Sequence, residues 1–280
     1  MPELPETETI ARDLDAALSG ATVTGITVHR ADVLRETTAA KLSKSLPGSR
    51  IERVWRRAKL VVIDLAHSSA QVSSHIVVQP RFTGALLIDD GTLPADQLNY
   101  LTVSMNLEDS RTVHYRDVRR LGTVAHMSPT RFAEYAAKLG PEPLDSSLTA
   151  PKFSALVRAS HRPVKALLMD QARLAGVGNI YANEALWRAG IDPSREAASL
   201  NETECVLLLE QLQAVLRESI ALRGTSFRDY RDARGNRGGF VEQLAAYGRG
   251  GQPCLRCKRR LVDTHAIDGR TTVFCAYCQR

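Results

Sequence analysis

Apolar residues near the start of the chain recur with helical spacing. Ile10, Leu14, Ala17 and Leu18 fall on one stripe and Gly20 follows as a stop, which predicts a helix over Pro5–Leu18. From Thr22 to about Met127 the alternation changes to period two. It predicts strands at Val23–His29, Ile51–Arg56, Leu60–Leu65, His75–Val78, Gly84–Ile88, Tyr100–Met105 and Thr112–Tyr115, separated by turns such as Pro47-Gly48. Short strands at this spacing predict a β-sandwich. From Pro129 the pattern is helical again, with helices expected over Thr130–Leu139, Pro151–Ala159, Val164–Met169, Asn179–Ala189 and Glu202–Leu222. Pro141 and Pro143 mark a hinge, so the expected fold is α+β in two lobes. Arg223–Gly239 is rich in Gly and Arg and poor in apolar residues, and reads as a mobile surface loop or one ordered only by a ligand. A β-hairpin is expected in the segment that ends the chain.

Composition narrows the class. The 280 residues are 44% hydrophobic and 24% charged, enough apolar material for a sizeable core. No run approaches the roughly 18 apolar residues of a membrane span. The start is acidic as far as Arg12, the opposite of a secretory leader. The net charge of +6 is concentrated: Arg223–Arg280 holds 12 Lys and Arg against 5 Asp and Glu. A basic terminal module fits a polyanion, most often nucleic acid; it fits a solvated basic tail as well.

Four of the five cysteines, Cys254, Cys257, Cys275 and Cys278, form C-x2-C…x17…C-x2-C. Two knuckle pairs at this spacing predict one structural Zn2+ held by four thiolates; two redox disulfides are the alternative. Cys205 sits at an apolar helical position and reads as a small buried hydrophobe. At the other end, the Met-Pro start is a context in which the initiator Met is removed, leaving Pro2 with a free secondary amine. Such an amine can attack an electrophilic carbon and form an iminium, and Glu3 or Glu6 can deliver a proton. The same residues also suit a plain helix start, with Pro in the first turn and acids at the positive end of the dipole. Gly176-Val177-Gly178-Asn179 opens a helix whose first amides and Asn179 side chain can hold a phosphate, or simply shape a turn.

Taken in order, these pieces resemble the bacterial formamidopyrimidine-DNA glycosylases, relatives of endonuclease VIII, over the whole chain. The resemblance rests on Pro2-Glu3-Leu4-Pro5-Glu6, Lys59 in a basic run, Asp117 to Gly122, Leu168-Met169-Asp170-Gln171, Gly176 to Ala182, Phe227 to Tyr230, Gly238-Gly239-Phe240, Tyr247-Gly248-Arg249, and Gly269 to Thr272 between the cysteine pairs. It implies a β-sandwich with flanking helices, a helix–two-turn–helix lobe and a C-terminal zinc finger, with DNA in the cleft between the lobes. Expected limits are 1–128, 129–222, 223–249 for a lesion-recognition loop and connector, and 250–280 for the finger. It implies Pro2 as nucleophile on C1′ of the damaged nucleotide, Glu3 as the acid that opens the sugar, and Glu6 as a supporting group. Lys59, Asn179 and Arg270 grip phosphates, with Lys59 and Arg270 also proton donors, and Lys165 supports DNA binding.

The chain departs from the family pattern at Gln79, at Phe82 where a Met usually fills the gap left by the flipped base, at Val118 and at Leu121. Asn99-Tyr100 stands where the family carries paired His. Phe82, Arg119 and Leu121 form the expected void-filling set, with Arg119 pairing the orphaned base. The resemblance implies a monomeric, cytoplasmic, nucleoid-associated bacterial enzyme on double-stranded DNA with oxidised bases or abasic sites, excising oxidised purines and cleaving by β,δ-elimination. An endonuclease VIII-like preference for oxidised pyrimidines, a non-catalytic zinc-ribbon DNA-binding protein and a zinc-stabilised structural module are the alternatives.

Overall fold

The computed structural model describes residues 2–67 and 71–280. Its first helix, α1 (Leu4–Leu18), begins at a capping box: the backbone N–H of Glu3 donates to Glu6 Oε2 at 2.8 Å. Ile10, Leu14 and Leu18 are fully buried along its apolar stripe. After it come β1 (Val23–Val28), β2 (Leu34–Arg35), α2 (Ala39–Ser45), β3 (Arg50–Arg57), β4 (Leu60–Ala66), β5 (Ser74–Gln79), β6 (Gly84–Asp89), β7 (Leu101–Leu107), β8 (Thr112–Asp117) and β9 (Thr123–Met127). They make a four-stranded sheet, β1-β7-β8-β6, and a five-stranded sheet, β2-β9-β5-β4-β3. Val103, Met105 and Val113 of the first sheet share one apolar core with Ile63, Ile76 and Val124 of the second, so the two form a sandwich. Helix α1 packs along β3 and β4, which leaves β4 buried along its whole length.

Helix α3 (Pro129–Ala136) follows, then α4 (Ala150–Arg158), α5 (Val164–Leu168), α6 (Asn179–Ala189) and α7 (Glu202–Ala221), and finally a hairpin of β10 (Val262–Thr264) and β11 (Thr272–Phe274). The chain divides into two units, Met1–Ala137 with Leu222–Gly239 and Lys138–Ala221 with Phe240–Arg280. The expected break at 128/129 thus falls inside the first unit. The reason is Phe132 on α3, whose ring meets Trp55 at 5.6 Å and His75 at 5.0 Å. The expected 223–249 connector is likewise shared between the units.

The segment Arg223–Gly239 differs from the expected surface loop. Tyr230 and Ala233 are buried in the sandwich core, and Ile88 donates its N–H to the Ala233 carbonyl at 2.9 Å. Asp232 is fully buried; its Oδ1 accepts the N–H groups of Arg234 and Asn236, while Oδ2 binds Arg223. Two apolar side chains and one aspartate therefore pin the segment; its exposed residues are Phe227 and Arg228 at the tip and Arg234, Asn236, Arg237 and Gly239. The expected strands, helices and final hairpin form, with ends shifted by a few residues. The short elements β2, α2 and β9 are additions.

Candidate active site and metal centre

In the first unit Pro2 is buried just before α1, and Glu3 and Glu6 are buried beside it. Glu6 works as a bridge. One carboxylate oxygen accepts the Glu3 N–H, and the other accepts the Thr225 N–H at 2.8 Å, from the base of the 223–239 segment. The Tyr230 phenol packs there too; burial and the Glu6 carboxylate push its pKa well above the ordinary value. Lys59 lies half-buried in the β3–β4 turn, where Ala58 has φ +53°. The Thr7 hydroxyl bonds the Ala58 carbonyl at 3.3 Å, and Arg56 bonds both that carbonyl and Glu8. This turn is thereby attached to the first turn of α1. The structure thus gathers Pro2, Glu3 and Glu6 at the start of α1, ties the turn that carries Lys59 to that helix, and adds Thr225 and Tyr230, which sequence reasoning missed. The expected loss of Met1 lies outside the described residues.

Phe82, Val118, Arg119 and Leu121 are exposed on the same unit, with the Arg119 guanidinium 5.0 Å from the centre of the Phe82 ring. Asp117 sets the turn that carries them. It accepts the Thr83 hydroxyl and the N–H groups of Arg119 and Gly122. Gly122 is required: a Cβ there would stand 1.9 Å from the Tyr115 hydroxyl. Gln79 is half-buried at the end of β5.

In the second unit Asn179, Lys165 and Arg270 converge on one turn, residues 268–272. Asn179 donates to the Thr271 carbonyl at 2.9 Å, and Asn183 accepts the Val273 N–H at 2.7 Å. Gly176 has φ +94° and donates to Gln171, which also ties Met169 and Val177. Arg270 is exposed. Lys165 is not: its side chain is 0% exposed, and its ammonium donates to both Asp268 oxygens at 3.1 Å and to Thr272 Oγ1 at 2.8 Å. The expected DNA contact by Lys165 is therefore corrected to a buried ion pair that holds the Arg270 turn. Glu184 on α6 was also missed; it accepts the N–H groups of Ala245, Ala246 and Tyr247 ahead of the cysteines.

The four cysteine sulfurs lie within 4.8 Å of one another. Cys257 and Cys275 are 3.5 Å apart, too far for a disulfide and close to the roughly 3.8 Å edge of a tetrahedron with Zn–S bonds of about 2.3 Å. Leu261, Val273 and Trp187 pack around them, and Gln279 ties Cys275 N–H to the Ile191 carbonyl. The donor set fits a closed four-thiolate metal site.

A sandwich with a gathered N-terminal proline, a helix–two-turn–helix lobe and a four-cysteine hairpin define a DNA glycosylase class. Two family models match: the formamidopyrimidine-DNA glycosylase N-terminal domain over residues 1–124 and the formamidopyrimidine-DNA glycosylase H2TH domain over 139–231. The formamidopyrimidine-DNA glycosylase of Carboxydothermus hydrogenoformans is 36% identical over 282 residues, covering all of both chains. Lactococcus lactis Fpg in complex with DNA containing N7-benzyl-Fapy-dG superposes with a TM-score of 0.89, at 29% identity over 100% of both chains. The same protein bound to DNA with an abasic site gives 0.89 at 30% identity over 99% of each chain. The chain belongs to the formamidopyrimidine-DNA glycosylase family, a class of bifunctional glycosylases and abasic-site lyases. Among the described residues no helix is long and apolar enough to cross a membrane.

Proposed function

We propose that the protein excises oxidised purines, formamidopyrimidines and 8-oxoguanine, from double-stranded DNA and then cleaves the strand. The observation that carries this reading is Glu6, which ties the buried Pro2–Glu3 start to the 223–239 segment through two backbone N–H groups. Once Met1 is removed, the neutral Pro2 nitrogen attacks C1′ of a flipped nucleotide and the glycosidic bond breaks, the electron pair leaving with the base. Glu3 protonates O4′ as the ring opens, and an iminium forms between Pro2 and C1′. Loss of a C2′ proton expels the 3′ phosphate, and a second elimination expels the 5′ phosphate. Lys59, Asn179 and the exposed Arg270 hold phosphates and serve the departing oxygens. Phe82, Arg119 and Leu121 fill the vacated stack, with Arg119 on the orphaned base.

Cys254, Cys257, Cys275 and Cys278 would hold one structural Zn2+, which would brace the hairpin that carries Arg270 and would take no part in the reaction. The protein works as a monomer in the bacterial cytoplasm, at the nucleoid. The test is cleavage of a duplex panel carrying 8-oxoguanine, formamidopyrimidine, an abasic site or an oxidised pyrimidine. Preferred release of the two purines supports the reading. Preferred release of the pyrimidine points to endonuclease VIII-like specificity, and no cleavage at all to a binding protein.

A further inference from the structure

Tyr100 is a bulky residue in left-handed backbone, φ +62°, and 63% exposed. A non-glycine side chain there is uncommon and is held only when its surroundings fix it. The fixing contact is the Asp117 N–H, which donates to the Tyr100 carbonyl at 3.1 Å. Asp117 also sets the turn carrying Arg119, so Tyr100 and that turn form one assembly. Together with Arg30, Val118 and Arg120, Tyr100 lines an open pocket of about 730 Å3. That lies within the roughly 300–1,000 Å3 of sites for nucleotide-sized ligands.

The pocket is cationic. Arg30 is exposed and makes no ion pair among the described residues. Arg120 faces Asp32 at 3.0 Å with both side chains about half exposed, a pair that a phosphate can displace. Of the acids, Asp117 lines the pocket, but its carboxylate already accepts from Thr83, Arg119, Gly122 and Tyr115. His29 turns its Nε2 to Ser104. None of Pro2, Glu3, Glu6 and Lys59 lines the pocket, so it is not the site of the damaged nucleotide.

We propose that Tyr100 and this pocket hold a nucleotide of the undamaged strand, adjacent to the orphaned base, with the base stacked on Tyr100 and its phosphate at Arg30 and Arg120. The proposal rests on the reading that Arg119 meets the orphaned base. Val118 and Arg120 flank Arg119 in the chain and open on the pocket, so they meet that base's neighbour on the same strand. Stacking on an exposed aromatic is tolerant of base identity, and the guanidinium suits a phosphate.

The experiment uses the full protein and a duplex with an uncleavable tetrahydrofuran abasic analogue opposite dC, with 2-aminopurine beside that dC in the undamaged strand. Binding should quench the 2-aminopurine. Tyr100→Ala should lose the quench and about tenfold in duplex affinity, while Tyr100→Phe keeps both. Binding of the single-stranded abasic-analogue oligonucleotide should not change. Arg30→Ala should lower the slope of log affinity against log salt by about 0.9. The proposal is overturned if Tyr100→Ala keeps the quench and affinity, or if it weakens single-strand binding equally. Arg119→Ala separates the two readings: loss of orphan-base discrimination there, with no effect of Tyr100→Ala, removes this site and leaves the Arg119 reading standing. No effect of Arg119→Ala removes the Arg119 reading itself.

Discussion

Lys165 offers a sharp choice between two physical roles. A surface lysine gripping DNA and a buried lysine holding a turn respond oppositely when the partner carboxylate is removed. Here the ammonium is wholly buried, with Asp268 at 3.1 Å and Thr272 at 2.8 Å. Lys165→Met leaves the Asp268 carboxylate, whose side chain is 9% exposed, without its counterion. Breaking one side of a buried pair costs about 3–5 kcal/mol. At roughly 2–4 °C per kcal/mol, the thermal midpoint of the transition that includes the hairpin should fall by on the order of 10 °C. Asp268→Asn should cost a similar amount and should also weaken DNA binding, because the Asp268 carboxylate also accepts the Arg270 N–H at 3.1 Å. The Lys165→Met, Asp268→Asn double variant should lose far less than the sum of the single losses. The assay is thermal melting together with fluorescence-anisotropy titration of an abasic-analogue duplex for all four proteins. If Asp268→Asn tightened DNA binding and left the midpoint unchanged, the lysine would be free to reach phosphate and the buried-pair argument would fail.

Three further outcomes follow from the geometry. Protein purified without chelator should hold one zinc per chain, and Cys254→Ser should lose it and weaken DNA binding; metal analysis with no zinc removes this assignment. Asp64 accepts from Arg53 at 2.6 Å, Trp55 at 2.8 Å and His75 at 2.6 Å; although burial opposes ionisation, these contacts hold its pKa below the usual 3.8. Its folded value lies below its unfolded one, so its contribution is present above that pH range and fades as pH falls through the folded value. Asp64→Asn should therefore cost about 2 kcal/mol in urea unfolding at pH 7, with the gap to the parent closing below about pH 4; a gap constant with pH would contradict this. In the 223–239 segment, Phe227→Ala with Arg228→Ala should slow 8-oxoguanine release and spare cleavage at an abasic site. Tyr230→Ala should instead destabilise the sandwich by about 3–5 kcal/mol and lower both activities. Equal loss in the tip variant would show that the tip supports general binding rather than base choice.

The long alternating runs and amphipathic helices were legible because each buries one periodic face. What escaped was set by tertiary contact. Strand β2 is two residues long and exists through its parallel pairing with β9, a partner invisible in local pattern. Helix α2 buries only Leu42, too little for a stripe, although Thr38 caps it. The Arg223–Gly239 segment reads as solvent-loving because its anchors are one tyrosine, one alanine and one aspartate among arginines and glycines. Pro2, Glu3, Glu6, Lys59 and the cysteines were legible as ordered motifs. Glu184, Asp232 and the burial of Lys165 were not, because a charged residue on a helix or loop reads as surface until its partners, distant in sequence, are seen. Tyr100 was expected within a strand and instead stands just before one in left-handed backbone.

Reductive trapping asks whether the Pro2 nitrogen forms the bond to DNA. Borohydride added during turnover should reduce the iminium and freeze the protein on both 8-oxoguanine and abasic duplexes, with the adduct mapping to the N-terminal peptide by mass spectrometry. Protein that retains Met1 should not be trapped at this position, because its Pro2 nitrogen is an amide. An adduct on an internal lysine, or none from protein whose mature N-terminus is Pro2, would contradict the account.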